Sequence, residues 1–282
     1  MDKQEIKYLL ATILTLGFCF SFRDWGIDRF DIGVGIGNLI FTTILVAFSI
    51  MVHELSHKKI AEKYNAIITF RTWSTLLATA IIITIITNGY IVFSAVWVVA
   101  MNAKPFLRPK HKYPHLGPFE RAKIAATGPM ANFILGLIAA ILFIKTGAVI
   151  WDKLMIINLS IGVMNLIPFW RIVPILMVGS KDLAHNLAFA LGKKVWGNTK
   201  LAYMEGEIIY FGSRTLSIFL LSLTLITSLI VFYLKMVLLG VIVGLISSIA
   251  IWILMEWYLE PHGAGGDAPP PLPKIHMPKF GK

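Results

Sequence analysis

GVGIGNLIFTTILVAFSIMVHELSH, residues 33–57, carries two messages in one stretch. Gly33 to Val52 is 20 residues without a charge, which is long enough to cross a bilayer as a helix. The motif His53-Glu54-Leu55-Ser56-His57 begins where that run stops. On a helix, positions i and i+4 share a face, so both imidazoles can reach one zinc ion. Glu54 lies between them and can take a proton from a water that the metal activates. Ionisable groups at membrane depth are expensive and mark a functional site by default. H-E-x-x-H also arises by chance in soluble helices, but chance here would set two histidines and a glutamate against lipid to no purpose.

The rest of the chain agrees with a membrane setting. Of its 282 residues, 57% are hydrophobic and 15% charged, against about 25% charged in an average soluble domain. The net charge of +11 belongs to cytoplasmic loops under the positive-inside rule. Nucleic acid is excluded as a partner, because the basic residues flank apolar runs and form no aromatic-interleaved patch. A single cysteine, Cys19, excludes an internal disulfide framework and a multi-cysteine zinc cluster. The run Tyr8–Phe22 has no small-residue cleavage site and is followed by Arg23-Asp24, so it reads as a retained span.

The expected fold is an all-α polytopic membrane protein. Six spans are readable: about Ile6–Phe22, Gly33–Val52, Ile124–Ile144, Leu154–Phe169, Thr215–Leu234 and Met236–Met255. Thr72–Ala103 is different, with 32 uncharged residues rich in Ile, Val and Thr and Asn88-Gly89 near its middle. Asn-Gly between β-branched runs signals a hairpin turn. Both flanks are basic, which favours a re-entrant element with β-hairpin character over one long tilted helix broken at Asn88-Gly89. Non-helical backbone at that depth must be buried in protein or line a wet cavity. Residues 1–260 read as one integral membrane domain with an inserted cytoplasmic segment at about 169–203. Residues 261–282 read as a Pro/Gly-rich disordered tail. Arg23–Asp31 reads as external and both termini as cytoplasmic, in a multi-pass protein of the cell membrane.

A catalytic zinc takes three protein ligands and keeps one position open. The third is most simply a carboxylate near a span on the side of His57. Asp24, Asp28, Asp31 and Asp152 fall on the external side, and Glu256 and Glu260 follow the last span. Glu120, Asp182, Glu205 and Glu207 are left.

Two further motifs stand at span boundaries: Gly128-Pro129-Met130-Ala131-Asn132 and Asn165-Leu166-Ile167-Pro168. Together with His53–His57, in this order, they resemble the site-2 protease family of intramembrane zinc metalloproteases. Tyr64–Arg71 and Phe211-Gly212-Ser213-Arg214 are similar to archaeal members, and the resemblance covers about residues 33–235. It implies that a Leu-Asp-Gly soon follows Asn-x-x-Pro and that its Asp is the third ligand. This chain has no Leu-Asp-Gly. The nearest match is Met204-Glu205-Gly206, about 37 residues beyond Pro168. Glu keeps the carboxylate and adds one methylene, and His₂Glu sets hold zinc in soluble proteases. The expected metal set is therefore His53, His57 and Glu205, with Asp182 and Glu207 as alternatives. A rival alignment on Met177-Val178-Gly179 puts Val at the ligand position and leaves the site incomplete.

The activity implied is zinc-assisted hydrolysis of peptide bonds within transmembrane helices of membrane-protein substrates. Glu54 serves as general base, and Asn165 holds the substrate backbone or oxyanion or else bonds between helices. A strand added from the Thr72–Ala103 element would help to hold an unwound substrate. Asn132 reads as structural, and His111, His115 and His185 as surface histidines. The competing readings are a pseudoprotease that binds membrane proteins without cutting them, and a metal transporter. The latter is disfavoured by the lack of paired discontinuous repeats.

Overall fold

The computed structural model describes residues 2–26, 30–103, 116–169 and 203–259. Eight helices and two strands are described: α1 Lys3–Ser21, α2 Ile32–Lys63, β1 Ala66–Thr72, α3 Ser74–Ile86, β2 Trp97–Ala103, α4 Pro118–Thr146, α5 Val149–Met164, α6 Glu205–Gly212, α7 Arg214–Leu234 and α8 Val237–Leu259. Four of them are long and apolar enough to cross a membrane: α2, α4, α7 and α8 up to Met255. The other two segments expected to span, α1 and α5, are helices of 19 and 16 residues outside that group.

The face pattern of α2 follows from the helical period. Ile36, Ile40, Ile44, Phe48, Met51 and Leu55 recur every three or four residues and are exposed. Thr42, Leu45, Val46, Ser49, Ile50, His53, Glu54, His57 and Ala61 are buried on the other side. The Asp31 side chain accepts from Val34 N at 3.1 Å and starts the helix. Asn65, with φ of 50°, follows its end. The H-E-x-x-H motif thus lies inside a continuous helix that runs on to Lys63, not at the end of one.

Thr72–Ala103 goes out and comes back, but not as a hairpin of two strands. Its outward limb is α3. A wholly apolar segment satisfies its backbone most simply within itself, as a helix, and this overrides the β propensity of its isoleucines and threonines. Asn88-Gly89 is the turning point, with φ values of 50° and 72°, as the dipeptide suggests. The Arg23 guanidinium stacks 3.9 Å over the Tyr90 ring and ties this turn to the far end of α1. The return limb is extended and buried from Ser94 to Met101. Its polar groups find protein partners: Ser94 Oγ donates to Ser160 O at 3.2 Å, and Thr72 Oγ1 to Val96 O at 2.5 Å. β2 then pairs antiparallel with β1, from Thr72↔Trp97 to Ala66↔Ala103. The loop therefore closes where it opened.

α4 and α5 form a close antiparallel pair. Gly147, with φ of 67°, caps α4. A side chain at Gly162 would lie 3.1 Å from Pro129 O and 3.2 Å from Phe133 N, so Gly there lets α5 approach the Pro129 turn. Of the residues singled out in the sequence, His111, His115, Asp182 and His185 lie outside the described residues. So do residues 170–202 of the expected insertion and the tail 261–282.

Candidate metal centre

α2 presents His53 and His57 four residues apart, and α6 brings Glu205 to face them. Glu205 Oε1 lies 2.9 Å from His53 Nε2 and 2.9 Å from His57 Nε2, and the two Nε2 atoms are 3.1 Å apart. All three residues are at most 1% exposed. Among the described residues they form the one group of three His, Cys or carboxylate side chains able to hold a metal ion.

The direction of every hydrogen bond behind His53 can be followed from backbone carbonyls. Asn158 Nδ2 donates to Leu154 O at 2.8 Å and Ser49 Oγ at 2.9 Å, so its Oδ1 faces Asn132. Asn132 Nδ2 donates to that Oδ1 at 2.9 Å and to Ser49 O at 3.3 Å, which turns Asn132 Oδ1 toward His53. His53 Nδ1 must then donate, at 2.7 Å. His57 Nδ1 donates to Ile124 O at 2.8 Å. Thr127 Oγ1 donates to the same carbonyl at 2.7 Å and lies 3.2 Å from that Nδ1. Pro129 lacks the N–H that would bond Ala125 O and loosens α4 in this turn. With both protons on Nδ1, a neutral imidazole carries its lone pair on Nε2.

With the imidazoles neutral, two lone pairs and a carboxylate oxygen converge. Such a set repels itself unless a cation lies between. Ligand atoms of a tetrahedral zinc site with bonds of about 2.1 Å stand about 3.4 Å apart. The separations here come within about half an ångström of that, and the donor types are those zinc takes in His₂-carboxylate sites. The residues fit a zinc ion. Their outer partners fix ring orientation and tautomer, as the groups behind metal-ligating imidazoles do.

Packing explains two glycines. A Cβ on Gly128 would lie 2.6 Å from His53 Cδ2 and collide with both Nε2 atoms, so only Gly lets α4 lie against the imidazoles. A Cβ on Gly206 would lie 2.6 Å from Ile167 O and 2.7 Å from Leu166 C. Met204-Glu205-Gly206 therefore abuts the Asn165–Pro168 turn despite the length of chain between them.

The other candidates stand as follows. Glu54 is buried in α2, and neither of its carboxylate oxygens has a partner among the described residues. Asn165 caps α5, and its Nδ2 donates back to Ile161 O at 2.9 Å. Glu207 is buried in α6 outside the converging group, and Glu120 accepts from Gly117 N at 2.9 Å at the start of α4. Asp24 pairs with Lys153, and Asp152 with Lys235 at 2.9 Å.

Sequence reasoning missed Trp97, Ser49, Asn158 and Thr127, and read Asn132 as structural. Ser49 and Asn132 carried a signal: Ser49 is one turn before His53 on the same face, and Asn132 is one turn after Gly128. Trp97 carried none, because its role depends on pairing across the sheet.

An apolar helical bundle around a buried His₂-carboxylate group defines a membrane metalloprotein candidate. Comparison with known proteins sharpens the class. The chain is 28% identical over 173 residues to a protein of Methanocaldococcus jannaschii named "Putative zinc metalloprotease MJ0611", covering 59% of this chain and 79% of that one. The likeness relates the chain to a metalloprotease. No family model and no solved structure matches it.

Proposed function

We propose that this protein is an intramembrane zinc metalloprotease of the site-2 type, which hydrolyses peptide bonds within transmembrane segments of membrane proteins. The observation that carries the reading is the convergence of His53 Nε2, His57 Nε2 and Glu205 Oε1, with both Nδ1 protons already committed. The surrounding apolar helices and the metalloprotease relative support it. Zinc, when bound there, supplies a Lewis acid that activates water near neutral pH and polarises the scissile carbonyl.

The chain's own residues do the rest. Glu54 takes the water's proton and passes it to the leaving nitrogen. Its buried carboxylate, which has no hydrogen-bond partner among the described residues, is free to do so. Asn165 steadies the substrate backbone or the developing oxyanion, since its Nδ2 carries two hydrogens and Ile161 O takes one. A transmembrane substrate must unwind before its peptide bonds are accessible, and the sheet edge of β2 offers backbone groups to hold it. At Val99 that edge is occupied by Tyr203, whose O accepts from Val99 N at 2.9 Å, so a substrate strand pairs beside or in place of Tyr203. The centre opens to the cytoplasm, with both chain ends on that side of the cell membrane.

The test is metal analysis of detergent-purified wild type and Glu205→Ala together with cleavage of a model transmembrane substrate. About one zinc per chain in wild type is expected, lost with activity in the variant. Zinc retained by Glu205→Ala moves the third ligand elsewhere. Zinc held with no turnover identifies a pseudoprotease.

A further inference from the structure

Glu205 is tied to β2 twice. The first tie is backbone: Tyr203 and Val99 form an antiparallel bridge. Met204, with extended backbone, carries the chain from that bridge into α6, whose first residue is Glu205. Trp97 shares with Val99 the side of β2 on which side chains point alike, by the two-residue period. The second tie is between side chains: Trp97 Nε1 donates to Glu205 Oε1 at 2.9 Å.

Several features make this contact more than packing. The indole has a single donor, and here it is spent on the oxygen that faces both imidazoles. The ring itself is held from two directions. It stands edge-on to His53 with centroids 5.1 Å apart, and tilted against Phe70 at 5.8 Å. Trp97 has no exposed surface. Glu205, for its part, has one more torsion than an aspartate, so a bare carboxylate there would sample several rotamers. Its second oxygen, Oε2, has no partner among the described residues to restrain it.

We propose that Trp97 is a positioning residue for the third metal ligand: its indole N–H holds Glu205 Oε1 between the two imidazoles and makes the longer side chain serviceable there. The proposal rests on the reading that His53, His57 and Glu205 hold zinc. It places one determinant of metal affinity on β2, the strand whose edge a substrate would approach.

The experiment is a double-mutant cycle on the full chain in detergent, reading zinc affinity by chelator competition. Trp97→Phe keeps the ring and removes the donor. It is expected to weaken zinc binding by about 10–100-fold, the usual worth of an outer-shell partner, and to lower kcat with KM unchanged. In a Glu205→Asp background, which keeps a carboxylate but shortens its reach toward the indole N–H, the same substitution is expected to change zinc affinity no further. An equal loss in both backgrounds means a packing role and overturns the proposal, as does an unchanged affinity in Trp97→Phe. A measurement that leaves Trp97 in place guards against a variant that does not fold. Among the indole N–H resonances of the eight tryptophans, one is expected to move upfield in metal-free Glu205→Ala; if none moves, the proposal fails. Wild-type protein that binds no zinc overturns the reading of the site itself, and the proposal with it.

Discussion

His53 and His57 stand four residues apart on one helix, whereas Glu205 lies 148 residues beyond His57 and reaches the centre through a strand bridge and a short helix. The two walls of the site are held by different physics. On the histidine wall, the helix sets the spacing, and a buried chain of amides and hydroxyls sets the tautomer. On the carboxylate wall, position depends on one bridge to Val99, one indole N–H and the packing of Gly206 against Leu166 and Ile167. Local geometry is stiff and can be read from spacing; an arrangement assembled across the sheet can only be read from packing. The walls should therefore fail differently. Damage to the histidine wall should disturb both metal and fold, while damage to the carboxylate wall should disturb the metal alone.

The largest effect isolates chemistry from both walls. Glu54→Gln is nearly isosteric, sits beside the imidazoles and supplies none of the converging atoms. Cleavage of a transmembrane substrate is expected to fall about 10²–10⁴-fold, the usual worth of a general base, with zinc content unchanged. Full activity in Glu54→Gln would remove it as the base.

Next comes the histidine wall. Asn132→Leu removes the acceptor of His53 Nδ1 and the donor to Asn158, both fully buried. Zinc affinity should drop about 10–100-fold. Stability should fall by about 1–3 kcal/mol, because polar partners are left unpaired in the core. Denaturant unfolding of the metal-free protein separates the two effects, and an affinity loss with no stability loss would break the contrast between the walls. Gly128→Ala is expected to cost about 1–3 kcal/mol by overpacking, since its methyl must push α4 away from both imidazoles. The same unfolding experiment checks it.

What could be read beforehand follows the same division. The histidine pair, the exposed apolar period of α2 and the turn at Asn88-Gly89 are local, and each shows in spacing or dipeptide chemistry. The outward limb of the Thr72–Ala103 loop does not. Ser74–Ile86 has the composition of a strand, and its surroundings make it a helix. Nor does the partner of β2, which is the strand before α3 and not the segment joined to it through the Asn88-Gly89 turn. Glu205 could be nominated from a motif resemblance, but the Trp97 contact and the abutment of Gly206 on Leu166–Ile167 exist only once the sheet and helices are packed.

The smallest effect compares the two edges of the sheet. Where Tyr203 bonds the β2 edge at Val99, Glu5 of α1 covers the β1 edge: it accepts from Phe70 N at 3.3 Å and lies 3.6 Å from Lys58 Nζ. Phe70 pairs with Val99 in the register, so the two covers sit on opposite sides of one residue pair. Glu5→Gln keeps an acceptor for the Phe70 N–H and loses only a charge facing a part-exposed lysine, worth about 0–1 kcal/mol. Glu5→Ala loses the acceptor as well and should cost about 1–3 kcal/mol. Neither should change zinc affinity, because β2 stands between that edge and Glu205. Thermal unfolding and chelator competition on the two variants give both numbers. A loss of zinc from Glu5→Gln comparable with that expected for Trp97→Phe would show that the sheet moves as a unit, and that the carboxylate wall is held by the whole sheet and not by the indole.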